Sequence, residues 1–214
     1  MIKGLHKGLI IFAREPLPGS VKTRLAAAIG DGAAAELYKA MLQDVLKTAG
    51  QLSDVETIVY WACEEESLPR LDEKYGCSPR RQSMGDLGQR MQGAFEEMFA
   101  AGCEICCIIG SDAPDLPLSH LEEAFQLLEQ QQADVVLGPS LDGGYYLLGM
   151  RQVWPQLFEN ILWSSADVLA QSLTAARDSG LTAALLPEWQ DIDTVEDLRA
   201  YQERNHLTVS TETT

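Results

Sequence analysis

Two aspartates, each placed at or just beyond the end of a short apolar run, are the residues best suited to chemistry in this chain. Asp112 follows Ile108-Ile109-Gly110-Ser111, and Asp193 lies in Asp191-Ile192-Asp193-Thr194. Carboxylates at strand ends suit a hard divalent cation, Mg2+ or Mn2+, which takes oxygen ligands from protein and phosphate alike. Asp112 is the first candidate ligand and Asp193 the second, with Asp191 as the alternative to Asp193. The complementary charge comes earlier, in FAREPLPGSVKTRLA, where Arg14, Gly19, Lys22 and Arg24 follow an apolar run. Arginine grips phosphate oxygens in two-pronged fashion, lysine acts as a point charge, and both favour an anionic ligand. An ATPase phosphate loop needs a glycine directly before its lysine, and the β-branched Val21 stands there instead.

Charge distribution sharpens this reading. The chain of 214 residues carries a formal net charge of -16. Up to Arg24, Lys3, Lys7, Arg14, Lys22 and Arg24 face Glu15 alone, a local +4 that leaves -20 for the remainder. An anionic small molecule therefore has one favoured place, whereas nucleic acid and anionic membranes are repelled. Leu9 to Ala13 is too short to span a bilayer and no cleavable signal pattern follows it, which predicts a cytoplasmic protein. Five cysteines argue for free thiols. Cys103, Cys106 and Cys107 invite a zinc reading, but His6, His120 and His206 are scattered along the chain and no second Cys-x-x-Cys exists. Thiols packed in or beside a buried strand are the expectation.

Three further loops carry chemistry-bearing residues. In GDLGQRM, Gly85 and Gly88 would let a base lie against the backbone, with Asp86 and Arg90 beside it; Asp86 also suits an ordinary helix start. In SLDGGYYLLG, Asp142-Gly143-Gly144 reads either as a hairpin turn or as a close backbone approach to a sugar, with Asp142 bonding hydroxyls. Asp142 and Asp115 are the two candidates for a general base, although Asp115 or Ser119 also suits a helix cap. Gly143 and Gly144 are substrate-binding candidates, Tyr145, Tyr146 and Trp163 are open to substrate contact or to plain packing, and Asp193-x-x-Glu196 fits a capping box.

The elements that must position these loops alternate. Strands are expected at Leu9 to Ala13, Thr57 to Ala62, Cys106 to Gly110, Ala133 to Leu137, Tyr145 to Met150 and Thr182 to Leu186. Helices are expected at Ala33 to Ala49, Leu87 to Ala100, Leu118 to Gln132, Ala166 to Ser179 and Val195 to Glu203. Glu64 to Tyr75 is polar with some helical character. Such alternation predicts a three-layer α/β/α sandwich around a mostly parallel sheet, with ligands bound outside the carboxyl ends of its strands. One domain over 1–205 and a flexible tail over 206–214 complete the expectation.

The motifs FAREPLPGSVKTRL, GDLGQRM, GSDAPDLP, DGGYYLLG, LWSSADVL and DIDTVEDL, taken in that order, resemble a bacterial family of GT-A-type glycosyltransferase-like proteins of unknown function. Some of its members are labelled radical-SAM/selenodomain-associated transferase or arsenosugar-biosynthesis glycosyltransferase. The resemblance spans about Gly8 to Tyr201 and implies the nucleotide-diphospho-sugar transferase superfold, Rossmann-like in type. More distantly the chain is similar to molybdenum-cofactor guanylyltransferase, phospholactate guanylyltransferase and CMP-sugar synthetases. That likeness implies phosphate contacts from Arg14, Lys22 and Arg24 and a metal on Asp112 and Asp193. It implies as partners a nucleotide-diphosphate sugar or a nucleoside triphosphate, and a small acceptor of unknown identity. Glycosyl transfer is the leading expectation, nucleotidyl transfer with release of pyrophosphate the alternative, and a nucleotide-binding regulator without turnover the third.

Overall fold

A computed structural model describes residues 6–77 and 79–205; Lys3, His206 and the tail expected over 206–214 lie outside them. The strands are β1 (Lys7–Arg14), β2 (Val55–Ala62), β3 (Arg80–Arg81), β4 (Ile105–Gly110), β5 (Val135–Pro139), β6 (Tyr145–Met150) and β7 (Ala183–Leu185). The helices are α1 (Thr23–Ile29), α2 (Asp31–Ala49), α3 (Leu68–Tyr75), α4 (Leu87–Ala100), α5 (Leu118–Glu129), α6 (Val168–Asp178) and α7 (Val195–Arg204). All seven strands join one sheet in the order β3-β2-β1-β4-β6-β5-β7, parallel except for β6, which runs antiparallel to β4 and β5.

Near-continuous apolar composition in β1, β4 and β5 follows from burial on both faces, as parallel sheets require. Leu9, Ile11, Cys107 and Ile109 face a cluster that includes Leu42, Val45 and Leu121. Ile10, Cys106 and Ile108 face the other cluster, with Phe95, Met98 and Met91. Helix α2 presents Tyr38, Met41, Leu42 and Val45 inward at helical spacing, and α4 presents Met91, Ala94, Phe95 and Met98. The thiols of Cys106 and Cys107 pack within β4 as expected, and Cys103 is buried just before it.

Sheet order decides where a ligand can sit. The chain moves from β1 outward to β2 and β3, then returns to the other flank of β1 with β4, so a topological switch lies between β1 and β4. The residues after both strands, Lys22 and Asp112 among them, therefore stand at the same edge. The Asp142 loop is a hairpin between β5 and β6: Gly143 N donates to Ser140 O at 3.1 Å and Ser140 N to Gly144 O at 3.1 Å.

A polar clasp fastens the last helix. Asp115, beyond β4, accepts Arg204 Nε at 2.7 Å and Nη2 at 3.0 Å, Asn205 Nδ2 at 2.7 Å and Trp189 Nε1 at 3.3 Å. Arg204 also stacks over the Trp189 ring at 5.0 Å. Burial opposes the Asp115 charge, but Arg204, Asn205 and Trp189 outweigh it and hold the carboxyl below the usual range. A depressed carboxyl adds stability that is full above its unfolded value of about 3.9 and is lost as pH falls through the folded value. Asp115→Asn is expected to lose on the order of 2 kcal/mol at pH 7, between the ~1 of exposed pairs and the ~3–5 of broken buried ones. Urea melts at pH 7 and pH 3 check this: the gap between wild type and variant should shrink at the lower pH.

Candidate active site

Lys22 organises the edge beyond β1 and β4. It precedes α1 with left-handed backbone (φ 49°), a conformation that a non-glycine residue keeps only where the surroundings hold it. Its side chain is 4% exposed, and Nζ lies 2.7 Å from Asp193 Oδ1 and 3.1 Å from Asp112 Oδ2. Burial alone would lower the ammonium, yet the charges of Asp112 and Asp193 prevail and raise its pKa. Lys22 is thus a fixed cation.

The carboxylates are held by backbone. Ile192 N donates to Asp112 O at 3.0 Å, joining the segment before α7 to the end of β4. Ile192 is fully buried, and Asp191 and Asp193 stand on either side of it. One ligand atom from each of Asp112, Asp191 and Asp193 lies within 4.8 Å of the others. Burial, then the charges of Asp193 and Asp112, push the Asp191 carboxyl up to about 6, with Lys22 opposing. Asp142 adds to this repulsion from its hairpin, so the field there combines four carboxylates against one ammonium.

Thr194 rather than Asp193 caps α7. Its side chain accepts from Asp197 N, and Asp197 Oδ2 accepts from Thr194 N at 2.8 Å and Asp193 N at 3.1 Å. The expected Asp193-x-x-Glu196 box is thus shifted by one residue, which leaves the Asp193 carboxylate for Lys22.

Tyr38 is a member of the site that sequence reading missed. From α2 its hydroxyl accepts Arg14 N–H at 2.9 Å and meets Ser111 Oγ at 2.7 Å, while Ser111 Oγ lies 3.4 Å from Asp112 Oδ1. A carboxylate only accepts, so Ser111 donates to Asp112 and Tyr38 donates to Ser111. Burial and then the Asp112 charge raise the phenol pKa, which keeps that proton on Tyr38. A mid-helix tyrosine resembles any core aromatic, and no spacing rule links it to Ser111.

Other candidates divide. Arg14 and Arg24 are exposed in the same cationic segment, and Gly19 (φ 78°) makes its turn. Helix α1 has only seven residues, so attraction for an anion rests on these side chains. Arg90 donates to Gln82 Oε1 at 2.9 Å, and Gln82 Nε2 donates to Ala13 O at 3.2 Å and Tyr60 O at 2.9 Å. Burial and the nearby Arg14 both lower the Arg90 guanidinium, which sets two cations near the end of β1. Asp142 Oδ1 accepts from Ser140 Oγ and from Gly144 N at 3.0 Å.

Packing accounts for several of the remaining candidates. Asp115 spends both oxygens on the α7 clasp and has none for an acceptor hydroxyl. Asp86 and Gln89 form the capping box of α4, and Gly85 (φ 120°) has a backbone conformation that other residues rarely adopt, where a Cβ would also displace the Gln89 Oε1 of that box. The space over Gly88 belongs to Trp163: a Cβ would come within 2.5 Å of its ring, so neither a base nor an acceptor fits between them. Gly143 (φ 87°) packs on Ala166 O, which a Cβ would meet at 2.0 Å. A Cβ on Gly144 would meet Asp142 Oδ1 and Ser140 Oγ at 3.2 Å, so hairpin atoms line it too. The Tyr145 hydroxyl is buried close to Ser172, away from any acceptor site. Tyr146 OH bonds Pro187 O at 3.0 Å and His120 Nδ1 at 3.1 Å.

A mostly parallel sheet with its cations and carboxylates gathered at the β1/β4 switch defines an α/β protein of the nucleotide-diphospho-sugar transferase fold. Residues 45–165 match the family described as "Uncharacterized protein conserved in bacteria (DUF2064)", and the chain belongs to it. It is similar to a crystal structure from Desulfovibrio desulfuricans G20, described by inference as a nucleotide-diphospho-sugar transferase. The two share 31% identity and a TM-score of 0.89 over 99% of this chain and 92% of that one. It is also 30% identical, over 132 residues, to 2-phospho-L-lactate guanylyltransferase of Methanothrix thermoacetophila (strain DSM 6194 / JCM 14653 / NBRC 101360 / PT). That match covers 61% of this chain, which spans only about half, 55%, of that curated relative. A cytidylyltransferase from Leptospira borgpetersenii serovar Hardjo-bovis (strain JB197) shares the fold at 18% identity and TM-score 0.58, over 99% of this chain and 91% of its own.

Tyr38→Phe should leave the Arg14 N–H and Ser111 Oγ without their shared partner. A loss of about 1–3 kcal/mol is expected in urea unfolding, with the denaturant slope unchanged.

Proposed function

We propose that this protein is a metal-dependent glycosyltransferase that moves a sugar from a nucleotide-diphosphate sugar to a small acceptor. The carrying observation is the convergence of Asp112, Asp191 and Asp193 on buried Lys22, next to the cationic segment after β1. The three carboxylates suit a divalent cation: burial, and next the charges of Asp193 and Asp112, already push Asp191 up to about 6, and a second positive charge would offset both. Asp112, Asp193 and Asp191 would hold Mg2+ or Mn2+, which supplies Lewis-acid neutralisation of the diphosphate when bound.

The chain's own residues do the rest. Lys22, raised and buried, carries its charge throughout the physiological range and favours charge growth on the departing nucleotide diphosphate. Arg14 and Arg24 attract the phosphates, and Arg90 adds to the field from behind Gln82. In direct inversion the acceptor oxygen forms a bond to the anomeric carbon as the carbon–oxygen bond to the diphosphate breaks. The electron pair leaves with the nucleotide diphosphate, and the acceptor proton passes to a carboxylate. Asp142 is the residue for that proton, since among the described residues its Oδ1 alone is bound, by Ser140 and Gly144.

Nucleotidyl transfer is the second reading, favoured by the match to a guanylyltransferase. There an acceptor phosphate attacks the α-phosphorus of a nucleoside triphosphate and pyrophosphate leaves, with no base required. Both readings keep the protein in the cytoplasm as one domain and need neither nucleic acid nor membrane. No helix among the described residues is long and apolar enough to cross a bilayer.

Thermal melts with Mn2+, Mg2+ or chelator, against panels of nucleotide-diphosphate sugars and nucleoside triphosphates, test the proposal. A ligand at ~100 times its Kd should add ~2.7 kcal/mol. Metal-dependent stabilisation by a nucleotide sugar, absent in Asp112→Asn, is expected. Stabilisation by triphosphates alone, with pyrophosphate released, would transfer the assignment to nucleotidyl transfer; indifference to metal and Asp112 would overturn both. With the donor found, Asp142→Asn should lower kcat by roughly 10²–10⁴ while donor stabilisation persists.

A further inference from the structure

The opposite edge of the sheet holds a second set of metal-ligating side chains. His6 precedes β1, Glu56 lies in β2 and Cys103 precedes β4, and one ligand atom from each falls within 4.8 Å of the other two. His6 Nε2 is 3.0 Å from Glu56 Oε2. Three separate segments thus deliver an imidazole, a carboxylate and a thiol to one spot, roughly 25 Å along β1 from the Lys22 edge.

Register explains the meeting. Gly8 pairs with Glu56 on one side and with Cys106 on the other, and His6 stands two residues before Gly8. His6 O accepts Glu104 N at 2.8 Å, tying it to the segment that carries Cys103. The missing side chain at Gly8 makes the room: a Cβ would come 2.5 Å from Met98 Cε and 3.0 Å from Cys103 Sγ. The Cys103 thiol turns into that gap, where it forms no disulfide and, among the described residues, no hydrogen bond. Cys103 is 5% exposed, whereas the His6 and Glu56 side chains are about half exposed, so an ion could enter from the solvent side. Cys103 also lines an open cleft of about 400 Å3 with Phe99, Glu104, Arg151, Gln152 and Val153.

We propose that His6, Glu56 and Cys103 form a zinc site that staples the amino-terminal ends of β1, β2 and the β4 approach. The donor set selects the metal. A thiolate and an imidazole suit a borderline ion such as Zn2+ and disfavour Mg2+ and Mn2+, the ions proposed for the all-oxygen front site. Bonds of 2.0–2.3 Å place tetrahedral ligands roughly 3.3–3.8 Å apart, so the present spacing closes by side-chain rotation. Water takes the fourth position. Burial, and next the charge of Glu56, push the Cys103 thiol up, and a cation bound there offsets both as the thiol proton leaves.

Zinc calorimetry in excess Mg2+, together with Co2+ titration followed by absorbance, tests the site on the full chain. One Zn2+ per chain and a thiolate-to-cobalt charge-transfer band are expected. Cys103→Ser should abolish the band. His6→Ala and Glu56→Gln, at exposed positions where folding is safe, should each weaken zinc at least tenfold, while Asp112→Asn and Cys106→Ser should bind as wild type. Absence of the band from wild type would overturn the proposal. So would a band that survives Cys103→Ser, zinc binding unmoved by both His6→Ala and Glu56→Gln, or zinc binding that follows Asp112. Only zinc that follows Asp112 would touch the front edge, by showing a cation there, and the other outcomes leave the reaction proposed for it unaffected.

Discussion

One buried ammonium between two carboxylates is the contact on which the front edge of this protein depends. Asp112, Asp191 and Asp193 converge because the backbone of Ile192 is bonded to that of Asp112, and convergence of three negative charges is unfavourable without a cation. Lys22 supplies that cation from the loop after β1, at the expense of a left-handed backbone. The dependence runs outward from there. The Tyr38–Ser111 chain fixes Asp112 against β1, and the Thr194 cap releases Asp193 toward Lys22.

Much of this was legible in the sequence for a physical reason: parallel strands buried on both faces are apolar runs, and the helices between them keep helical spacing. Helix Leu87–Ala100 and strand Tyr145–Met150 are found where periodicity places them. The two-residue β3 is too short to carry any period. At the site, the basic segment was visible because its cations cluster against an acidic background, and the acidic loops because their aspartates follow apolar runs. Side-chain allegiance was not. Asp193-Thr194-Val195-Glu196-Asp197 offers two overlapping capping boxes, and only the Ile192 anchor in three dimensions decides between them. Asp115 likewise looked available until α7 folded back to present Arg204.

Glycines misled in an instructive way. A glycine in a loop that opens a helix suggests room for a ligand, since nothing projects from it. At Gly88 the room is real but Trp163 fills it, and at Gly143 the backbone of Ala166 does. Absence of a side chain signals close approach, and the approaching group is as often the protein itself. Gly8 belongs to the same class: its gap admits Met98 and the Cys103 thiol, and that admission brings sulfur beside His6 and Glu56.

Glycosyl and nucleotidyl transfer share a fold because both stabilise a phosphate leaving group, and the residues suited to that task do not reveal which bond breaks. The distinction lies in the nucleophile. A sugar acceptor is a neutral hydroxyl that must lose a proton, whereas a phosphate acceptor arrives already charged. A free carboxylate that can take the proton is needed by the first and not by the second. Among the four carboxylates, Lys22 holds Asp112 and Asp193, and Asp191 stands with them in the set that would hold the cation, which leaves Asp142. The Asp142 carboxylate, held by Ser140 and Gly144, is therefore where the demands of the two reactions diverge.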